Sequence, residues 1–174
     1  MTQKEQLMVT RPEALSPDIA LGLSMLDMAR QRTLETVRPL SREALDVEVN
    51  GHTIGSLLYH IALIELDWLY AEVKAQDYPA WATDLFPVDH RTADGKLSHF
   101  AGETAEQHVA RLNRIRADLL STYQSMTPED FRNPRHLPQY DVTPEWVLLH
   151  LAHHEVRHFG QIENMIRVAD LKSL

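Results

Sequence analysis

The sequence predicts an all-α four-helix bundle with long connections. Four long stretches repeat apolar residues every three or four positions, and each opens on a Ser or Thr suited to capping a helix. No segment alternates apolar and polar residues long enough to suggest a sheet.

The first helix starts at Ser16-Pro17, read as N-cap and N1, and runs to about Val37, ahead of Pro39. Leu21, Leu23, Met25, Leu26 and Met28 are expected on its apolar side. A connector from Leu40 to Gly51 ends in the turn pair Asn50-Gly51. Thr53 caps a second helix from Ile54 to about Ala75, with Leu57, Ile61, Ile64, Trp68 and Ala71 as its periodic apolar positions. Residues 77–103, broken by Pro79, Pro87, Gly95 and Gly102, form a long excursion with one helical turn near Trp81–Leu85.

Thr104 and Gln107 make a capping box for a third helix reaching about Ser125. Its core face is expected at Val109, Leu112, Ile115, Leu119 and Leu120. A turn at Pro128–Phe131 and a loop over 133–142 lead to Thr143-Pro144, which starts a fourth helix ending near Ala169. The long connections permit crossovers, so the sequence leaves the up-down order open.

A chain of 174 residues fits one domain over 1–174, with residues 1–15 as a loose leader. With no cysteine, disulfides, Cys-ligated zinc and iron–sulfur clusters are excluded, and a reducing cytoplasm is the expected location. The N-terminal residues lack the apolar stretch of a signal peptide, and no run approaches about 18 apolar residues, so a membrane partner is not expected. The net charge of -8, without a compensating Lys/Arg block, argues against nucleic acid.

Four of the ten histidines, His150, His153, His154 and His158, crowd the fourth helix. At about 100° per residue, His150, His154 and His158 lie within roughly 80° on one face. Residues four apart bring two imidazoles within reach of one ion, and a third ligand must come from elsewhere. The stretch is flanked by Leu148, Leu149, Leu151 and Ile162, which favours an inward face whose histidines need partners; a polar or pH-sensitive surface cluster is the alternative reading. His60 stands alone on the second helix's apolar stripe, where a simple hydrogen-bonded role would also serve.

Two other motif readings compete. His154-Glu155-Val156-Arg157-His158 is a literal HExxH, yet a zincin needs a further ligand downstream, where the metzincin pattern meets Gln161 and Asn164. Glu155 to His158 is also Glu-x-x-His, but a di-iron bundle requires a second such motif; Glu65 and Glu72 have no histidine three residues on.

The run Thr53-Ile54-Gly55-Ser56-Leu57-Leu58-Tyr59-His60-Ile61-Ala62, followed by Glu65 and Trp68, resembles the second helix of the DinB/YfiT-like superfamily. Thr143-Pro144-Glu145-Trp146 leading into the HHEVRHFGQI stretch, residues 153–162, resembles its fourth. The resemblance implies a four-helix bundle, often a homodimer, with one divalent metal ion, zinc or nickel. By position its ligands fall on His60, His154 and His158, and Gly160-Gln161 selects that pair over His150/His154. His150 and His153 become neighbours of the site.

The activities implied are a low-molecular-weight-thiol S-transferase acting on small electrophiles with a bacillithiol-like cosubstrate, or a metal-dependent hydrolase. A non-catalytic, metal-stabilised protein is the alternative. Three histidines leave an ion an open position for a small-molecule ligand. Glu155, about 100° from His154 and 60° from His158, is a candidate base, with an arginine ion pair as the alternative. Gln161 is expected to orient a ligand, Glu65 to be structural, and Trp68 and Trp146 to wall the core or a pocket. Tyr59, Tyr140 and Arg157 are possible substrate contacts or packing residues. The 77–103 and 133–142 loops are expected at the pocket mouth.

Overall fold

A computed structural model describes Val9 and residues 15–171. The leader expected over residues 1–15 therefore lies, apart from Val9 and Leu15, outside the described residues.

Four long helices carry the structure: α1 (Pro17–Val37), α3 (Ile54–Asp67), α5 (Ala105–Gln124) and α7 (Pro144–Val168). Short helices α2 (Arg42–Asp46), α4 (Ala80–Leu85) and α6 (Pro128–Arg132) lie in the connections. The caps work as their residue types require. The Thr53 hydroxyl accepts the Ser56 N–H at 3.0 Å, Thr143 accepts Trp146 at 3.1 Å, and Thr104 and Gln107 close a reciprocal capping box. Ser16 stands at the N-cap position of α1 without a side-chain capping bond, so proline at N1 starts that helix.

Helix α1 packs along α7 and α3 along α5; α3 also meets α7, and α1 meets α5, closing a four-helix ring. Where α1 and α7 approach, a Cβ on Gly22 would fall 2.6 Å from a Leu148 methyl. The interior divides into two apolar clusters. One contains Leu23, Leu26, Leu66, Leu119 and Leu148; the other contains Leu34, Leu45, Leu58, Leu112 and Ile162.

The structure departs from the sequence expectation at four points. On α1 the buried side is Ile19, Leu23, Leu26 and Leu34, whereas Leu21, Met25 and Met28 are exposed. The helix carries two apolar stripes and the bundle covers one. On α5, Val109 and Leu120 are only half-buried. The second long helix changes character after Asp67, becoming a π-helical segment over Trp68–Lys74. Its wider turn shifts the phase, burying Leu69, Tyr70 and Val73 and exposing Ala71. Finally, α2 forms inside the first connector, capped by Ser41, and the 133–142 loop contains a ribbon pairing β1 (Arg135–His136) with β2 (Asp141–Val142). Two-residue strands are too short to show alternation.

Candidate metal centre

His60 lies mid-way along α3 and is buried, and His154 and His158 lie one turn apart on α7, half-buried. The packing of α3 on α7 turns all three rings toward one point. His154 Nε2 is 3.2 Å from His60 Nε2 and 3.0 Å from His158 Nε2. One ligand atom from each ring lies within 4.8 Å of the others, so the group could hold a metal ion.

The chemistry of this trio favours a cation. A ring nitrogen either carries one hydrogen or presents one lone pair. His154 Nε2 can therefore make one hydrogen bond, yet it faces two nitrogens at hydrogen-bond distance. A shared ion satisfies three lone pairs at once, and ligands at 2.0–2.1 Å in a tetrahedral shell stand about 3.3–3.4 Å apart, close to these separations.

The rings are also in the correct protonation state. Burial, with His158 and His90 nearby, pushes His60 down to about 3. Burial, with His158 and His60 nearby, pushes His154 down to about 2. Burial lowers His158 too, partly opposed by its bond to Gln161. Neutral imidazole is the ligand form. Gln161 Oε1 can only accept, so its 2.6 Å contact places the His158 hydrogen on Nδ1 and leaves the Nε2 lone pair directed at the cluster. The centre opens onto a cavity of about 510 Å3 lined by His60, His158, Gln161, Leu57 and Arg91 among others.

Glu155, the candidate base, sits elsewhere. It is 1% exposed, and its carboxylate takes the Arg30 Nε–H at 2.7 Å and an Arg116 amino group at 3.1 Å. Arg30 also bonds Glu65 at 2.8 Å, and Arg116 bonds Glu65 at 2.7 and 2.9 Å. One residue from each long helix thus closes a buried ring of alternating charge. Burial alone would raise the Glu65 carboxyl, but the Arg116 and Arg30 guanidiniums hold it below the usual range. The arginine-pairing alternative describes Glu155, and a carboxylate so enclosed faces no open space from which to serve a ligand. The same enclosure removes the base that an HExxH protease requires.

His150 is not in the cluster. Its ring stacks on Trp146 at 4.8 Å and lies 4.6 Å from Trp68, and His153 is exposed. Trp68 and Trp146 wall a second cavity of about 590 Å3, together with Tyr140 and Val142 of the 133–142 loop. Tyr140 donates to Glu72 at 2.8 Å. Tyr59 is a packing residue, buried and bonded to Val88. Arg157 is exposed. The sequence reading missed Arg30 and Arg116; their signal is a charge on an apolar stripe, between Leu26 and Leu34 and beside Ile115.

A helical bundle with a three-histidine cluster shared by two of its helices defines the class. The chain belongs to the DinB superfamily, whose sequence profile matches residues 25–162. It is also similar in fold to a crystal structure described as the conserved protein of a locus from Enterococcus faecalis. That likeness has a TM-score of 0.66 at 20% identity and covers 84% of this chain and 94% of that one. No curated protein matches the sequence.

Proposed function

We propose that this protein is a mononuclear divalent-metal-dependent enzyme, a low-molecular-weight-thiol S-transferase acting on small electrophiles. The observation that carries this reading is three neutral imidazoles converging beside an open cavity. His60, His154 and His158 would hold the ion, zinc or nickel. When bound, it would supply a vacant position at which a thiol loses its proton far below its ordinary pKa. Gln161 holds the His158 ring in its liganding orientation, and Leu57 and Leu97 supply apolar wall to the cavity. Metal-dependent hydrolysis is the alternative, with His52 of the cavity wall as its candidate base.

Elemental analysis of the purified protein, followed by a panel of small thiols with monochlorobimane, tests the proposal. About one ion per chain and thiol-dependent turnover lost in His154→Ala are expected. Less than a tenth of an ion per chain after zinc or nickel addition overturns it, as does full occupancy with no thiol-dependent turnover.

We also propose a second copy of the chain as its partner. Leu21, Met25 and Met28 form an exposed apolar stripe on α1, and Leu149 and Val156 form one on α7, against which α1 packs.

A further inference from the structure

The cavity beside the three histidines differs in charge from the rest of the molecule. The chain has a net charge of -8, yet among the described residues the cavity is lined by the cations Arg91 and Lys96, with His52 beside them, and by no Asp or Glu. Two of these residues are delivered by a small hairpin built for the purpose of a tight reversal. Arg91 bridges Leu97, the Thr92 N–H donates to the Lys96 carbonyl at 2.9 Å, and the Gly95 N–H donates to Thr92 at 2.8 Å. Gly95 takes a φ of 81°, which a residue without a Cβ adopts at no steric cost.

Both flanks of the hairpin are pinned to α3. The Val88 N–H donates to the Tyr59 hydroxyl at 3.0 Å, and the Phe100 N–H donates to Ser56 Oγ at 2.8 Å. Arg111 adds a third anchor by bonding the Leu85 carbonyl at 2.9 Å and pairing with Glu103 at 2.5 Å. Arg91 is thereby held at the cavity, one Nη fixed on the Gly95 carbonyl at 2.7 Å, and it has no ion pair among the described residues. Lys96 is already paired with Asp94. The positive charge of Arg91 is felt at both His60 and His158, where it disfavours protonation.

We propose that Arg91, assisted by Lys96 and His52, binds a carboxylate of the molecule whose sulfur reaches the three-histidine centre, which makes the cosubstrate an anionic thiol. The inference deepens the transferase reading and rests on it. A guanidinium matches a carboxylate through two parallel charge-assisted N–H bonds, which a single hydroxyl oxygen does not reproduce and an ammonium, having no acceptor, cannot accept. A cavity of about 510 Å3 falls within the usual range of roughly 300–1,000 Å3 for small-ligand sites. A positive mouth on an acidic surface also concentrates anions there.

The test has two arms that fail separately. In the first, the metal-free protein is titrated with propionate and the Arg91 Nε–Hε resonance, assigned by its absence in Arg91→Gln, is followed by NMR. A saturable shift is expected; no shift overturns the proposal whatever the metal does. In the second, Co2+-loaded protein is titrated with 3-mercaptopropionate, 3-mercaptopropan-1-ol and cysteamine, and the thiolate–cobalt charge-transfer band is read. The acid is expected to bind about five- to tenfold more tightly than the alcohol, and the amine most weakly. Arg91→Gln should bring the three within about twofold, and Arg91→Lys should keep part of the preference. Equal affinities in the unaltered protein overturn the carboxylate site and leave the transferase reading intact. A propionate shift with no thiolate band from any thiol sinks the transferase reading, and with it the anionic thiol, while Arg91 remains an anion contact.

Discussion

His154 Nε2 is the most constrained atom at the site, since it faces two other imidazole nitrogens and can hydrogen-bond to one. Removing His60 relieves that conflict but deletes one of the three ligands proposed above. His60→Ala should lower affinity for zinc more than about 100-fold, because loss of a residue that merely orients a ligand already costs 10–100-fold. Competition with a chromophoric chelator measures it; unchanged affinity would show that another residue completes the centre. The acid response follows from the same burial. His60 is pushed from 6.5 to about 3, so between those values the unfolded chain binds a proton that the folded one refuses. Its contribution is complete above about 6.5 and is lost as pH falls. The Tm of metal-free protein should drop from pH 7 to 4, and less steeply in His60→Asn. At this scale helical spacing, a local property, put His150, His154 and His158 on one face, and the family resemblance singled out the pair His154 and His158. The sequence was silent on Arg91, whose place at the cavity depends on a hairpin and three anchors distributed over α3 and α5.

At the scale of elements, the ring of Arg30, Glu65, Arg116 and Glu155 dominates. Along α1 and α7 its members fall between the two apolar clusters, Arg30 between Leu26 and Leu34, and Glu155 between Ala152 and Ile162. Deleting one charge leaves another buried and uncompensated. Glu155→Gln should therefore destabilise the fold by roughly 3–5 kcal/mol in denaturant unfolding, whereas replacing all four by apolar residues of similar volume should recover most of the loss. A Glu155→Gln protein of normal stability but without turnover would instead restore this residue as a base. Caps and proline starts made the long helices legible within a residue or two. The π-helical segment at Trp68–Lys74 was not legible, because the same apolar residues satisfy either winding and tertiary packing selects between them.

For the whole molecule, the order of helices around the ring was beyond the sequence, since each long connection allows more than one path. So was the choice of apolar stripe on α1, which offers one at Leu23 and Leu26 and another at Leu21, Met25 and Met28. If the second stripe is covered by another copy, light scattering should give twice the mass of the 20.0 kDa chain, and Met25→Glu should shift it toward the single chain. A chain that runs as a monomer at all concentrations would exclude the pairing.

The four-membered charge ring also acts as a gauge of alignment. Sliding α7 one turn along its neighbours would strand the Glu155 carboxylate in hydrocarbon and leave Arg30 and Arg116 sharing Glu65 alone, a penalty that oily contacts alone would not impose, because leucines tolerate many partners. His154 is the residue next to Glu155, so the docking that satisfies the ions also fixes the depth at which the imidazoles meet. Assembly errors large enough to scatter the three rings are thus opposed by the charge ring itself.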